Sequence, residues 1–455
     1  MYKKGDKDNL ENYRPISLTS TFAKILEIAM YKQVTSFLHK YNIITDKQNG
    51  FYKGRTTETA IFHFVEHVRE ILDKKDKCVG IFLDLTKAFD LVPHKELLYK
   101  LNNYGLRGKI NNWFNSYLQG RTQVVEITHN DERTRTINQY LSYSRYIKYG
   151  VPQGSVLGPM LFLIYINDFP ASVTSAIPTL FADDTTLIIS GQEQILDKKI
   201  DNTIQQISEW FAVNDIIINV QKTQAINFTL LKSSTCTTSN IQMEKQTINY
   251  VQSTKFLGVW IDANLNWEQH ISSIESKLNK NCFGIRIIKK LMNQKTAKIL
   301  YHSVFESTLT YGLIFWGSSA KSKKIFVLQK KVIRLLAGAK SRESCKQLFK
   351  KFDILPLPCL YIYKILLFVK MHFNFFFSYV NNHAYSTRNK NNLSIPSHNT
   401  TKFEKGPKYM GILIYNKLPI ELKAITDVNI FKKEIKKYLM CHCYYSINEY
   451  ITSDV

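Results

Sequence analysis

The chain has 455 residues, with 61 Lys and Arg against 37 Asp and Glu, a formal net charge of +24, 44% apolar and 13% aromatic content. At about 150 residues per domain this length allows roughly three packed units, and an apolar share of this size belongs to a folded chain rather than a disordered one. So large an excess of positive charge points to a polyanionic partner, nucleic acid or an anionic membrane surface, and not to a small acidic substrate.

From Met1 to Pro15 the chain is charged and has no apolar core, so the start reads as neither a secretory signal nor a transit peptide. Pro15 closes an extended lead-in, Ser17 and Thr19 offer caps, and Phe22, Leu26 and Met30 fall on one face of a helix. A polar, glycine-containing stretch follows over 45–57. Ile61, Phe62, Phe64, Val65, Val68, Ile71 and Leu72 then recur at helical spacing, which predicts an amphipathic helix with Glu66, Arg69 and Glu70 on its solvent face.

The run Cys78–Leu85 is short and almost continuously apolar, the pattern of a buried strand, and Asp84 interrupts it. An unpartnered buried carboxylate costs roughly several kcal/mol, so Asp84 needs a partner. Two readings stand: it caps a helix beginning near Phe89, or it serves a site. Gly150–Pro159 (GVPQGSVLGP) is a turn rich in breakers ahead of an apolar helix over Met160–Ile166. Thr179–Ile189 reads as a β-hairpin with Asp183 and Asp184 at its tip. Taken alone, such a pair is a solvated turn. Held beside Asp84, the two acids would repel unless cations sat between them, which is the signature of a two-metal centre for phosphoryl transfer.

Helical spacing returns over His270–Met292 and Lys295–Leu309, rich in Lys and Arg. In 321–351, Ile325, Leu328, Val332, Leu335 and Leu336 line one face and lysines the other, a solvated face or a phosphate contact. The apolar window Leu357–Val380 is interrupted by Lys364, Lys370 and His372, and predicts a packed helix hairpin rather than a membrane span, so no membrane partner is expected. Seven scattered cysteines imply reduced thiols and an intracellular setting. Cys441-His442-Cys443 is half a zinc site with no partner pair.

Blocks at 13–17 (YRPIS), 48–60 (QNGFYKGRTTETA), 82–90 (FLDLTKAFD), 150–159, 181–184 (FADD) and 256–262 (FLGVWID), in that order, resemble the reverse transcriptase of non-LTR, LINE-type, jockey-like retrotransposons. The stretch 309–317 and the segment TRNKNNLSIP at 387–396 resemble the region such elements carry after the polymerase. The resemblance implies an α+β, right-hand polymerase: partial fingers over 1–77, a palm with an antiparallel sheet over 78–261, a helical thumb over 262–345 and a basic, mostly helical region over 346–455. It implies RNA-directed DNA synthesis on an RNA template from a DNA primer, with deoxynucleoside triphosphates and two Mg²⁺ ions, Mn²⁺ being the alternative metal. Asp84, Asp183 and Asp184 match the metal-holding acids, and Leu85 matches the residue that lends a carbonyl. Phe89 matches the aromatic that excludes a ribose 2′-OH; a plain core aromatic is the other reading. Gln153 and Gly154 match the turn against the nascent base pair. Lys222 matches the lysine that protonates pyrophosphate, or else clamps it by charge. Arg14 and Arg55 lie in the finger-like blocks and match contacts to triphosphate or template.

Three departures stand out. The chain starts inside the fingers at Met1, Tyr52 stands where the family usually has Arg, and 128–149 is a longer loop than expected. They imply a truncated element copy or a fragmentary gene model, which leaves a folded but catalytically idle nucleic-acid-binding protein as the alternative. An RNA-templated RNA polymerase is disfavoured by Phe89.

Overall fold

The computed structural model describes residues 2, 5, 6, 8, 9, 12–131, 136–230, 240–291, 293–379 and 392–453. Met292, Val380 and the 387–391 part of the segment at 387–396 lie outside the described residues. The chain is α+β. In order come α1 (Thr21–Lys40), α2 (Thr57–Asp73), β1 (Lys77–Leu83), α3 (His94–Asn103), α4 (Lys109–Leu118), β2 (Thr122–Gln123), β3 (Glu126–Asp131), β4 (Thr136–Leu141) and β5 (Arg145–Tyr146). After these stand α5 (Gly158–Ile166), α6 (Phe169–Ser172), β6 (Ile177–Phe181), β7 (Asp184–Gly191), α7 (Glu193–Val213), β8 (Gln224–Phe228), β9 (Ile241–Met243), β10 (Gln246–Tyr250), β11 (Ser253–Phe256), β12 (Val259–Asp262) and α8 (Glu268–Leu291). Beyond α8 the described chain is mostly helical.

Two compact units form. The first takes Met1–Ala60, Gly80–Ala225 and Thr238–Tyr250; the second takes Ile61–Val79, Ile226–Thr237 and Val251–Val455. The first unit is built on a sheet of order β6-β7-β1-β8-β10-β9, with β6 and β7 antiparallel and β10 parallel to β8. From Cys78 to Leu83, β1 is buried at every position, as its unbroken apolar run requires, and α5 is buried throughout except at Pro159. The start of α1 departs from expectation. Ser20, not Ser17 or Thr19, caps it, its side chain accepting from the Ala23 N–H. Phe22 and Leu26 are exposed, and the buried face is Glu27, Val34 and Leu38. The reason is Glu27, whose carboxylate accepts hydrogen bonds from the Tyr117 hydroxyl (3.0 Å) and the Val156 N–H (2.6 Å) and so fixes the rotation of the helix. The long loop expected over 128–149 is instead part of a β-ribbon that begins before it, with β3 and β4 paired antiparallel and β2 paired with β5.

In the second unit α2 departs most sharply from its sequence pattern. Glu66 and Arg69 are buried, not on a solvent face. Arg69 donates to the Lys402 carbonyl, Lys408 pairs with Glu70 at 2.8 Å, and the Asp73 carboxylate accepts from the backbone N–H groups of Asn399 and Thr400 and from the Thr400 hydroxyl. Helical spacing could not foresee polar partners arriving from more than 300 residues away. The Asp262 carboxylate accepts from the N–H groups of Asn266 and Trp267, turning the chain from β12 into α8. The helix Ser322–Ala337 buries Ile325, Val332 and Leu336 as expected, with Phe326, Gln329 and Ile333; Leu328 and Leu335 are half-buried. Leu357–Met371 is one core helix followed by a 3₁₀ turn rather than a hairpin. Among the described residues no single helix is long and apolar enough to cross a membrane; the bent pair Lys346–Phe352 and Leu357–Met371 passes only on length and composition. The described cysteines are free.

Candidate active site

Asp84 directly follows β1, and β1 lies beside β7 in the sheet. The β6–β7 hairpin closes with Phe181 opposite Asp184, so its tip is Ala182-Asp183 and Asp184 opens β7. Topology therefore gathers the three acids singled out in the sequence at the ends of neighbouring strands. Asp84 caps no helix: the first helix after it, α3, begins at His94. The electrostatics register the crowding. Although Asp184 is exposed as a residue, its carboxyl is pushed up to about 6, by desolvation first and then by the negative charges of Asp183 and Asp84, with Arg14 opposing.

The tip rests on a support that the sequence pattern did not reveal. The buried Gln48 side chain accepts from the N–H groups of Gly50 (2.8 Å) and Ala182 (2.9 Å). Asn49 donates its N–H to the Leu180 carbonyl and Leu180 donates to the Lys47 carbonyl, so the loop is stitched to β6. Ala182 sits at φ 57°, a left-handed conformation that costs about 1 kcal/mol or more for a residue with a side chain and needs holding. A Cβ on Gly50 would collide with the Ala182 nitrogen, so only glycine lets the loop come this close. The signal was present as Gln-Asn-Gly, but its partner lies far along the chain.

Asp84 is held from the other side by the turn after α7. Its carbonyl accepts from the Asn219 N–H (2.8 Å), and its own N–H donates to the Thr223 hydroxyl (3.3 Å). Lys222 is an exposed member of that turn, its N–H bonded to Asn219. Leu85 bridges Ile218 as an antiparallel pair whose hydrogen bonds are made by Asp84 and Thr86, so its own carbonyl turns away from that segment. Phe89 is half-buried and stacks on Phe162 at 4.5 Å, while its carbonyl accepts from Val151. Next to it, Asp90 accepts from the Gln153 side-chain amide (2.8 Å). The Gln153 carbonyl accepts from the Ser17 N–H, and at Gly154, where φ is +104°, a Cβ would lie 3.1 Å from the Ser17 oxygen. The turn is thus fixed between Asp90, Ser17 and Glu27.

The two arginines differ. Arg14 acts on Asp184 by charge. Arg55 is engaged within its own loop, donating to the carbonyls of Thr45 (2.8 Å) and Gln48 and lying 4.8 Å over the Tyr52 ring; burial lowers its pKa. Tyr52, the departure from the family pattern, also hydrogen-bonds His39 at 2.8 Å. Among the described residues there is no group of three or more His, Cys, Asp or Glu that could hold a metal ion. Magnesium does not demand one, because it is commonly bound through one or two carboxylates and completed by water and substrate phosphates.

Residues 2–261 match the family described as reverse transcriptase (RNA-dependent DNA polymerase). Relatives include the probable RNA-directed DNA polymerases from transposon BS, 27% identical, and from transposon X-element, 28% identical, both of Drosophila melanogaster; each alignment covers 72% of this chain and 36% of the relative. The RNA-directed DNA polymerase from mobile element jockey of the same species is 26% identical over 73% of this chain and 36% of its own length. The chain spans about a third of the length of these curated relatives. Of solved structures, apo telomerase from Candida tropicalis aligns over 72% of this chain and 53% of its own, with 14% identity and a TM-score of 0.37. Blocks in family order, acids gathered at the ends of adjacent strands and a family match over most of the first unit lead to one conclusion: this chain belongs to the reverse transcriptase family, among relatives of the jockey type.

Proposed function

We propose that this chain carries the RNA-directed DNA polymerase activity of a non-LTR retroelement, extending a DNA primer on an RNA template with deoxynucleoside triphosphates. The observation that carries the reading is the crowding of acids around Asp184. Its carboxyl is pushed up to about 6, by desolvation first and then by the charges of Asp183 and Asp84. Acids that repel one another in this way fit divalent cations, with Asp84, Asp183 and Asp184 the residues that would hold them and Leu85 lending its carbonyl. Bound there, two Mg²⁺, or Mn²⁺ in their place, would lower the pKa of the primer 3′-hydroxyl and neutralise charge on the triphosphate.

The chain's own residues do the rest. Phe89, braced on Phe162, presents a ring against the sugar and leaves no room for a 2′-hydroxyl. Gln153, oriented by Asp90, fixes the turn on which the new base pair lies. Lys222, exposed beside the Asp84 turn, delivers a proton or positive charge to the pyrophosphate as it leaves. Arg14 adds positive charge near Asp184, where phosphate oxygens enter. Arg55 serves nucleotide binding indirectly, by fastening the loop that carries Gln48. In this reading 1–77 act as fingers, 78–261 as palm, 262–345 as a thumb that grips the RNA·DNA duplex, and 346–455 as a basic C-terminal region.

The test is primer extension on poly(rA)/oligo(dT) with Mg²⁺ and dTTP. The wild-type chain is expected to extend the primer; Asp183→Asn is expected to lose at least about 4 kcal/mol of transition-state stabilisation, roughly a thousandfold in rate, while keeping template affinity. Undiminished extension by that variant would sink the assignment.

A further inference from the structure

Asp84 follows β1 and Thr223 precedes β8, and these two strands are neighbours in the sheet. Thr223 is fully buried, and its hydroxyl works in two directions: it accepts from the Asp84 N–H (3.3 Å) and donates to the Asn219 carbonyl (2.9 Å). That carbonyl also accepts from the N–H groups of Lys222 (3.1 Å) and Thr223 (2.9 Å), while the Asn219 N–H donates to the Asp84 carbonyl (2.8 Å). The Asn219 side-chain oxygen accepts from the Lys222 N–H as well (3.2 Å). Both backbone polar groups of Asp84 are therefore taken by one short turn, and Lys222 belongs to it. Strand propensity at Thr223 asks only for a β-branched residue, which valine would supply. A hydroxyl with no exposed surface costs stability unless it is bonded, so its use here is the bond it makes to Asp84 and Asn219.

We infer that Thr223 is a positioning residue of the candidate site: its hydroxyl pins the backbone of Asp84 to the turn of Lys222, so that the acid and the lysine are presented from one frame. With its N–H and its carbonyl both held, Asp84 has only its own side-chain torsions left to vary. A cation bound between acids depends on such fixing, because a ligand whose support is loose binds less tightly even when its chemistry is intact. Lys222 gains differently. Its backbone is tied to Asn219, so its reach is measured from the same turn that orients Asp84. The inference deepens the polymerase reading, on which it rests, by naming a residue that sets metal affinity without touching the metal.

The test measures the metal by itself. Mn²⁺ is titrated into the full chain without primer or nucleotide, and the free ion is followed by electron paramagnetic resonance. Thr223→Val removes the hydroxyl at nearly constant volume and is expected to weaken Mn²⁺ binding about tenfold. Thr223→Ser keeps the hydroxyl and is expected to bind as the wild type does. Thr223→Cys offers only a weak acceptor and is expected to fall between the two, which decides the matter should the valine variant not fold. Urea unfolding is run on each variant, because a hydroxyl that merely stabilised the strand entry would lower the midpoint and leave the metal affinity of the folded chain as it was. Unchanged Mn²⁺ affinity in folded Thr223→Val or Thr223→Cys overturns the inference, as does an equal loss in Thr223→Ser. Asn219→Ala cuts only the side-chain bond to the Lys222 N–H, so it is expected to keep the Mn²⁺ affinity and to slow primer extension roughly threefold; undiminished extension overturns the shared frame. A wild type that extends primers, with a valine variant that binds Mn²⁺ normally, removes the role of Thr223 alone. A wild type that binds Mn²⁺ in the order expected of these variants but never extends removes the polymerase reading alone.

Discussion

Two groups of acids in this molecule are treated in opposite ways. In the second unit, the acids of α2 are matched: Glu66 lies beside Arg69, Glu70 pairs with Lys408, and Asp73 takes hydrogen bonds from Asn399 and Thr400. In the first unit Asp184 faces two more acids, with Arg14 as the opposing charge. Both arrangements raise a carboxyl pKa, Glu66 to about 7 and Asp184 to about 6, each with desolvation as the first cause. For Glu66 the next influences are cations that lower it; for Asp184 they are anions that raise it further. The contrast teaches that a perturbed carboxyl is not by itself a site. A raised carboxyl points to a cation site only where the neighbours share its sign, because only there would an added cation relieve repulsion.

The largest effects should separate the two groups by readout. Asp183→Asn should cost activity by about a thousandfold and leave the unfolding midpoint in metal-free buffer unchanged or higher, since one repelling charge is gone. Arg69→Ala should do the reverse. It strands a buried carboxylate, so urea denaturation should register a loss of about 3–5 kcal/mol. A variant at Arg69 that unfolds like the wild type would show that the α2 pair is not what joins this helix to the 399–408 segment.

Gln48→Ala probes the support of the site rather than its charge. Losing the acceptor for the Ala182 N–H should cost about 1–3 kcal/mol locally, read as a fall in kcat of roughly tenfold or more with little change in RNA affinity. Gln48→Glu keeps an acceptor oxygen and should restore most of the rate. A change in KM for the nucleotide with kcat intact would mean that the loop contacts substrate rather than positioning Asp183.

The smallest effect is in pH. Both raised carboxyls bind protons more tightly folded than unfolded, so their contribution to stability is fully present below about pH 4 and is lost as pH rises through about 6 for Asp184 and about 7 for Glu66. The melting temperature in metal-free buffer should therefore fall between about pH 5 and about pH 8. Added Mg²⁺ should flatten the Asp184 part and leave the Glu66 part, which Glu66→Gln should remove. A profile unmoved by Mg²⁺ would count against cations at the acids.

The elements legible in the sequence share one property: their determinants are local. The buried run of β1, the apolar α5 and the hairpin around Asp183 follow from short patterns, and the blocks from Tyr13 to Asp262 identified the family. The errors also share a cause. Glu66 and Arg69 looked solvent-facing because period-3.6 patterning assigns a face by the helix's own residues, whereas their partners sit at 402 and 408. Phe22 and Leu26 looked buried because nothing local reveals that Glu27 would be drawn inward by Tyr117 and Val156. The ribbon running into 128–149 was missed because its ladder is largely exposed and lacks the alternation of a half-buried strand.

By itself, then, the sequence determined which residues carry charge and match the family's blocks, and in which order: Asp84, the Gln153 turn, the Asp183-Asp184 pair, Lys222. Tertiary structure alone decided how those groups are held: Gln48 under the strained Ala182, Asn219 and Thr223 on the backbone of Asp84, Asp90 on Gln153. The division is physical. A side chain's type is written at its own position, but a hydrogen bond or a Coulomb interaction depends on distance in space, and folding brings within 3 Å groups that the chain keeps more than a hundred residues apart.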